Sequence, residues 1–500
     1  MKRILAMLLA AVMLCSLLAA CGGEVAVTEA PETTAAPVTE APDDAPDLPD
    51  AATLNIGGEF HMYVAGNSAR KAGLTDFNTN DPESSAIDIA IHRRNEYIKE
   101  KYGVEIVVED ETQFNTANGS GKGFTKMYTE YMSGNNAIDA AMIGTFDVAT
   151  LAYSGYIYDL AKMPHMDLSK DYWDQRANEH LSLNGKMYYT TGDISITDNL
   201  FTHAILFNKD MIDEYGLDDP YQMVRDNEWT IENFAALVKE VGEDLNQDGI
   251  YNEKDKYGLM TWKDATLGIY AAGNERVCKI NDEGLLELTF YNERMVNLLE
   301  AYQAMAYDQA HVYNYQYDNL TGAQSPIGTW DTNRDAVFTE GRTVFYMSLL
   351  TVVNRHRDSD VDFGILPMPK FEKEQESYGH AISSFHAQFL CVPAMIQDAE
   401  RTGIILEELA YQGKEILTPA YYDQTLVGQT MRDEESVEML DIIFASRVYD
   451  VGNYYKIGGY SDKLVNLCID RAPIASIYET FRNPAEQMLK LINEFMSELE

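Results

Sequence analysis

Along the chain, apolar positions alternate between helix-like and strand-like spacing. From residue 86 onward, Ile87, Ala90, Ile91, Tyr97 and Ile98 recur on one side of a 3.6-residue spiral. This predicts a helix over 86–102, which Gly103 can end. VEIVV at 104–108 is rich in β-branched residues and reads as a strand. AIDAAMIG at 137–144 is an apolar run of the buried-strand type, followed by the turn Thr145-Phe146-Asp147 and a second helical stretch. WTIENFAALVKEV opens another helix, with Thr230 as its N-cap and Trp229 as a staple against it. The chain closes on SVEMLDIIFASRV and PAEQMLKLINEFMSEL; in the latter, Met488, Leu491, Ile492, Phe495 and Met496 form one apolar stripe, a packing face. GSGKG at 119–123 lacks the serine or threonine of a phosphate loop and reads as a flexible excursion. Alternation of this kind predicts an α/β fold. Open α/β sheets bind ligands beyond the carboxyl ends of their strands, which makes Asp147 a candidate ligand residue as well as a helix cap.

The N-terminus departs from this pattern. Lys2 and Arg3 precede an almost wholly apolar stretch, 4–18, and then Leu18-Ala19-Ala20-Cys21. The arrangement is that of a secretory signal over 1–20. LAAC matches a bacterial lipobox, in which Cys21 becomes the acylated first residue. Residues 21–51 carry eight acidic and no basic residues among Thr, Pro and Ala, and read as an extended, disordered tether. No later apolar run approaches the roughly 18 to 20 residues needed to span a bilayer. The expected location is therefore the extracytoplasmic face of the cell membrane, through a lipid anchor.

Composition narrows the partners. With 38 basic and 80 acidic residues the net charge is −42, a poor surface for nucleic acid. Cys278, Cys391 and Cys468 remain after the signal and the lipidated cysteine; their spacing gives no metal or redox motif, and leaves one disulfide open. Residues 52–500 exceed what one core usually serves, so two lobes are expected.

Several segments in order resemble the extracellular solute-binding proteins of ABC importers, the family that includes maltodextrin-binding protein. They are IDAAMIGTFDVATLAYSGYIYDL, LNGKMYYTTGD followed by HAILFNKDMIDEYGL, WTIENFAALVKEV, VFTEGRTVFYM and DFGILPMPK. The resemblance implies a periplasmic-binding-protein-like fold: two α/β lobes joined by hinge crossings, with an interlobe ligand cleft. The expected lobes are 52–198 plus 383–425 and 199–382 plus 426–500, with crossings near 196–203, 366–383 and 418–429. It implies hinge closure on a small solute, a sugar before a peptide or other polar nutrient, and delivery by a monomer to a membrane permease. The chain lacks the dense tryptophans of the maltodextrin cleft and has Met347-Ser348-Leu349 where a sugar-stacking tryptophan would stand.

Two kinds of chemistry remain. Asp244, Asn246, Asp248, Gly249, Ile250, Asn252 and Asp255 occupy positions 1, 3, 5, 6, 7, 9 and 12 of a calcium loop, with Asp at the twelfth where Glu is usual. Structural Ca2+ is the only cofactor expected, and a polar turn is the alternative. Tyrosine is abundant at 32 residues, which suits sugars, whose C–H faces stack on aromatics while hydroxyls meet polar tips. The candidate ligand residues are Asp147, Asp193, Trp262, Trp330, Tyr454 and Tyr455, of which Asp147, Asp193, Trp262 and Tyr455 are expected to meet across one cleft. HExxH, GxSxG and Walker motifs are missing, so no enzyme is expected, although a hidden carboxylate pair leaves a lipid-anchored hydrolase as an alternative.

Overall fold

The computed structural model describes residues 45–65, 75–111, 120–316, 330–426, 434–467 and 471–498. From Pro46 onward the chain forms one compact unit, organised by two sheets. In the first lobe β1 (Gly58–Ala65) lies parallel to β2 (Val104–Glu111) and to β3 (Ala140–Gly144). Helix α1 (Ala86–Tyr102) ends on Gly103 at φ 69°, as the sequence predicts, and its start is capped by Ser85. Helix α2 (Lys122–Ser133) starts inside the GSGKG segment, which is therefore a helix start and no loose excursion. Helix α3 (Thr145–Tyr153) follows β3 directly.

In the second lobe β4 (His203–Asn208) pairs antiparallel with β7 (Thr343–Leu349), and β7 runs parallel to β5 (Lys256–Thr261). β6 (Val312–Asn314) pairs with β5, and β8 (Phe363–Leu366) with the far side of β4. Helix α4 (Ile231–Lys239) begins on Thr230, whose side chain accepts the Asn233 N–H. Trp229 is fully buried against Phe234 and Phe345 and donates to the Pro367 carbonyl at 2.8 Å, the packing role its place before the cap suggested. Helix α5 (Ala265–Ala272) follows β5.

The chain passes between lobes three times. Thr190 still bridges to Leu390 of the first lobe, and His203 already opens β4. The return runs from β8 through β9 (His380–Ala381) to β10 (Gln388–Cys391), which closes the first sheet antiparallel to β3. The third follows α7 (Thr418–Leu426), packed on α1, and precedes α8 (Glu434–Ala445), packed on β8; residues 427–433 lie outside the described set. The crossings touch one another: Ser383 N–H donates to Phe201 O at 2.9 Å, and β9 pairs with β11 (Arg447–Val448). The C-terminal helix α10 (Ile474–Glu498) runs through Pro484, and its Met496 carbonyl accepts from Asn184 and Lys186 at 3.1 and 3.0 Å. Cys278 and Cys391 are buried free thiols. Among the described residues no helix is long and apolar enough to cross a membrane. Cys21 and Cys468 lie outside them.

Candidate functional site

At the carboxyl end of β5 the chain places Trp262, 6% exposed. Its ring stacks between two others of the second lobe. His203 lies 6.1 Å away at 29°, and Tyr315, which follows β6, lies 6.5 Å away at 11°. Tyr346 of β7 meets Tyr315 edge-on at 6.2 Å, and the Arg334 guanidinium lies over the Tyr315 ring at 5.5 Å. On the other side His386, carried by the crossing that leads into β10, approaches Trp262 to 6.0 Å and Phe201 to 5.6 Å. Beside His386, Phe385 packs on Phe146 of α3 at 5.3 Å. This aromatic row therefore runs from the second sheet to the first.

Its polar atoms are poorly supplied with partners. The Trp262 Nε1, both ring nitrogens of His203 and the Thr266 hydroxyl are buried without a hydrogen bond. Polar groups buried in this way are rare in native structures and mark places where a ligand or water belongs. Burial, and next the neighbouring His386, push the His203 pKa down to about 3; burial pushes His386 down to about 4. Both imidazoles are neutral at physiological pH. Asp264 is pushed up to about 7, burial outweighing the nearby Lys263. The arrangement offers flat apolar faces with hydrogen-bonding edges, and Arg334 as a nearby fixed charge, which suits a polar ring compound.

The other sequence candidates are placed differently. Asp147 is 3% exposed, and its carboxylate accepts the Gly121 N–H at 2.8 Å and the Phe124 N–H at 3.2 Å, which starts α2. Asp193 accepts from Thr418 Oγ1 at 2.5 Å and lines a separate cavity of about 330 Å³ with Asp174, Asp198, Asn199, Phe444 and Arg447. Burial pushes the Asp193 pKa up to about 6. Tyr454 packs on Phe389 at 5.5 Å and donates to the Ile382 carbonyl; Tyr455 packs against Tyr153 and Tyr189 at 6.0 and 6.4 Å. Both tyrosines thus lie against first-lobe rings instead of facing Trp262 from the second lobe. Trp330 opens the helix Trp330–Thr339 that carries Arg334; its side chain is outside the described residues. Among the five whose side chains are described, Asp147 is engaged by the start of α2, Asp193 by Thr418, and Tyr454 and Tyr455 by first-lobe rings. Trp262 lies in a ring cluster where its own indole nitrogen, both His203 nitrogens and the Thr266 hydroxyl are unpaired.

In the 244–255 loop the Asp244 carboxylate accepts the Gly249 N–H at 2.7 Å, the tight turn expected of the motif. Asn246 Oδ1 accepts the Asp248 N–H at 3.0 Å, and the Ile250 carbonyl accepts from the Asn252 side-chain amide at 3.1 Å. Asp255 directs its two oxygens to the Leu245 and Asn252 N–H groups at 3.0 and 2.8 Å. Among the described residues no group of three or more His, Cys, Asp or Glu is gathered for a metal ion.

His203, Tyr315, Tyr346 and His386 escaped the sequence reading. The one available signal was a histidine heading HAILF, where every following position is apolar. A second missed group is Arg447, buried at the crossings, which donates to Asp174 at 2.8 Å, to Asp198 at 3.3 Å and to Asn199.

Comparison with solved structures places this architecture. The galacto-N-biose-/lacto-N-biose I-binding protein of Bifidobacterium longum is 13% identical, with a TM-score of 0.57 over 87% of this chain and 98% of that one. The cyclic alpha-maltosyl-1,6-maltose binding protein of Arthrobacter globiformis is 12% identical, with a TM-score of 0.56 over 87% and 99%. An ABC substrate-binding protein of Listeria monocytogenes, in complex with cycloalternan, is 14% identical, with a TM-score of 0.52 over 88% and 99%. At such identities the likeness shows the fold, a two-lobed solute-binding architecture. No curated protein matches the sequence. The model of the bacterial extracellular solute-binding protein family matches residues 78–384, and the chain belongs to that family.

Proposed function

We propose that this protein captures a carbohydrate between its lobes at Trp262 and presents it to the membrane subunits of an ABC importer. The observation that carries the reading is the buried Trp262–His203–Tyr315 cluster at the edge of the second sheet, with unpaired polar atoms, met by His386 of the crossing to the first lobe. The solved relatives named above bind lacto-N-biose, a cyclic maltosyl-maltose and cycloalternan, which supports a saccharide. A solute touching Trp262 and the His386 crossing favours the closed arrangement by its differential affinity alone. Trp330 remains a candidate for the same cleft because its helix holds Arg334 over Tyr315. Asp147, Tyr454 and Tyr455 act as the packed support of the first-lobe wall, and Asp193 belongs to the hinge.

In the same reading Cys21 carries the lipid that keeps the protein at the outer membrane face, with 22–51 as its reach. The 244–255 loop takes a structural calcium ion through Asp244, Asn246, Asp248, the Ile250 carbonyl, Asn252 and Asp255. The support is the Asp244–Gly249 turn; Asp255 has to exchange its amide partners for the ion.

The test is a thermal-shift and small-angle scattering series on the purified protein with glucose, maltose, maltotriose and lacto-N-biose, with trialanine as the peptide control. A sugar at 100 times its dissociation constant adds about 2.7 kcal/mol of stability, and closure makes the particle more compact. Hydrolysis of the sugar, or a shift with trialanine alone, overturns the reading.

A further inference from the structure

Resting on the carbohydrate reading above, we infer that His203 is the specificity-determining residue of the cleft, matching its two ring nitrogens to hydroxyl groups of the solute and so favouring a polyhydroxylated ligand over a peptide.

Two buried histidines near the crossings differ in their partners. His380 is fully buried and fully supplied: its Nε2 accepts the Met368 N–H at 3.0 Å, and its Nδ1 meets the Ser446 hydroxyl at 2.9 Å. His203 is equally buried, at 0% exposure, yet neither of its nitrogens has a partner. It heads β4 beside Ala204, Ile205 and Leu206, all at 0% exposure, where an apolar residue would pack without penalty. The fold also keeps the ring in place. A Cβ on Gly268 of α5 would lie 2.7 Å from the His203 Nδ1, so that glycine lets the helix press against the imidazole. The opposite neighbour is Trp262, whose Nε1 is unpaired as well, and Thr266, two residues before Gly268, adds an unpaired hydroxyl.

The donor and acceptor count then selects the chemistry. A neutral imidazole presents one N–H donor and one bare nitrogen acceptor, the indole one donor, and the threonine hydroxyl both. A sugar hydroxyl donates and accepts from the same oxygen, so two adjacent hydroxyls satisfy this mixed set. In a trans peptide unit the C=O and N–H point in opposite directions, so one unit does not meet a donor and an acceptor on the same face, and a group left unmet in a dry site is costly. The His386 ring covers Trp262 from the crossing that leads to the first lobe, so parting the lobes uncovers the pair and closing on a sugar buries it.

The experiment is calorimetric titration of the full chain and its His203→Phe and His203→Gln variants with glucose, maltose, maltotriose, lacto-N-biose and trialanine. For a sugar that binds the unmodified chain, His203→Phe should weaken binding about tenfold or more, while His203→Gln, which keeps one donor and one acceptor, recovers most of it. Nitrogen NMR of the histidine-labelled unmodified chain is read in parallel, so that misfolding of a variant leaves the outcome decided: the sugar should move both ring nitrogen resonances of one imidazole, the one absent from His203→Gln. Sugar binding with equal affinity in both variants, or with no histidine resonance moved, overturns the role of His203 and leaves the carbohydrate reading standing. Binding of none of these sugars, or of trialanine alone, overturns that reading and this inference with it.

Discussion

Replacing Arg447 by methionine tests whether the crossings are held by charge. The guanidinium is buried, lies over the Phe444 ring at 4.6 Å, and reaches Asp174 at 2.8 Å and Asp198 at 3.3 Å. Methionine keeps an unbranched apolar stem and deletes the charge together with its hydrogen bonds to Asp174, Asp198 and Asn199. Two carboxylates then remain in a site where side-chain exposure is 6% for Asp174 and 4% for Asp198. Removing one partner of a buried ion pair typically costs about 3 to 5 kcal/mol, because the remaining charge is stranded.

The pH dependence sharpens the test. Burial already pushes the Asp198 pKa up to about 7, with Arg447 the first group opposing it. A carboxyl whose folded pKa lies above its unfolded value binds more protons when folded, so its contribution to stability falls as pH rises between the two values. In the unmodified chain this fall ends near pH 7. In Arg447→Met the Asp198 pKa lies higher still, so the fall continues, with a slope of up to about 1.4 kcal/mol per pH unit. Urea unfolding at pH 5 and pH 8 should therefore show a larger gap between variant and parent at pH 8. Asp198→Asn in the variant background should remove the widening. A gap that is the same at both pH values, or a loss under about 1 kcal/mol at pH 8, would refute this account of the hinge.

Three further outcomes follow from the packing and the motifs. Trp229→Ala should lower stability by about 3 to 5 kcal/mol and leave sugar affinity unchanged, whereas Trp262→Ala should weaken sugar binding by one to two decades, on the order of a hot-spot residue; calorimetry with urea unfolding separates the two. Calcium added to chelator-stripped protein should raise the melting temperature, and Asp248→Ala should abolish the rise; superimposable curves with and without calcium would leave the loop a plain turn. Cys21→Ser should yield protein without diacylglycerol by mass spectrometry and free of the membrane fraction, and a lipidated variant would refute the anchor.

What the sequence disclosed and what it hid divide along the range of the interactions involved. Helix α1 was legible because its signals are local: the apolar face and the glycine that ends it lie within one short stretch. The same holds for Thr230 over α4, and for β3, whose five residues are all buried. The start of α2 was hidden because the carboxylate that accepts its first amides comes from Asp147, beyond an intervening strand. That bond also redirects the role of Asp147. The residue stands at a strand end where ligand residues are common, but its oxygens face backbone N–H groups of a neighbouring helix. The site is non-local throughout. His203, Trp262, Tyr315 and His386 come from four separate segments and meet only because β4, β5 and β6 share a sheet and the return crossing folds over its edge. Loop position alone could nominate Trp262, since a tryptophan just after a strand faces the sheet's carboxyl edge. It could not nominate His203, which lies within the first residue of a strand and looks like core. The absence of a partner for its nitrogens, in contrast to His380 whose nitrogens are both satisfied, is what nominates it for the proposed site. The count of 32 tyrosines gives no such guide, because a tyrosine could serve either purpose until the partners of its neighbours are known.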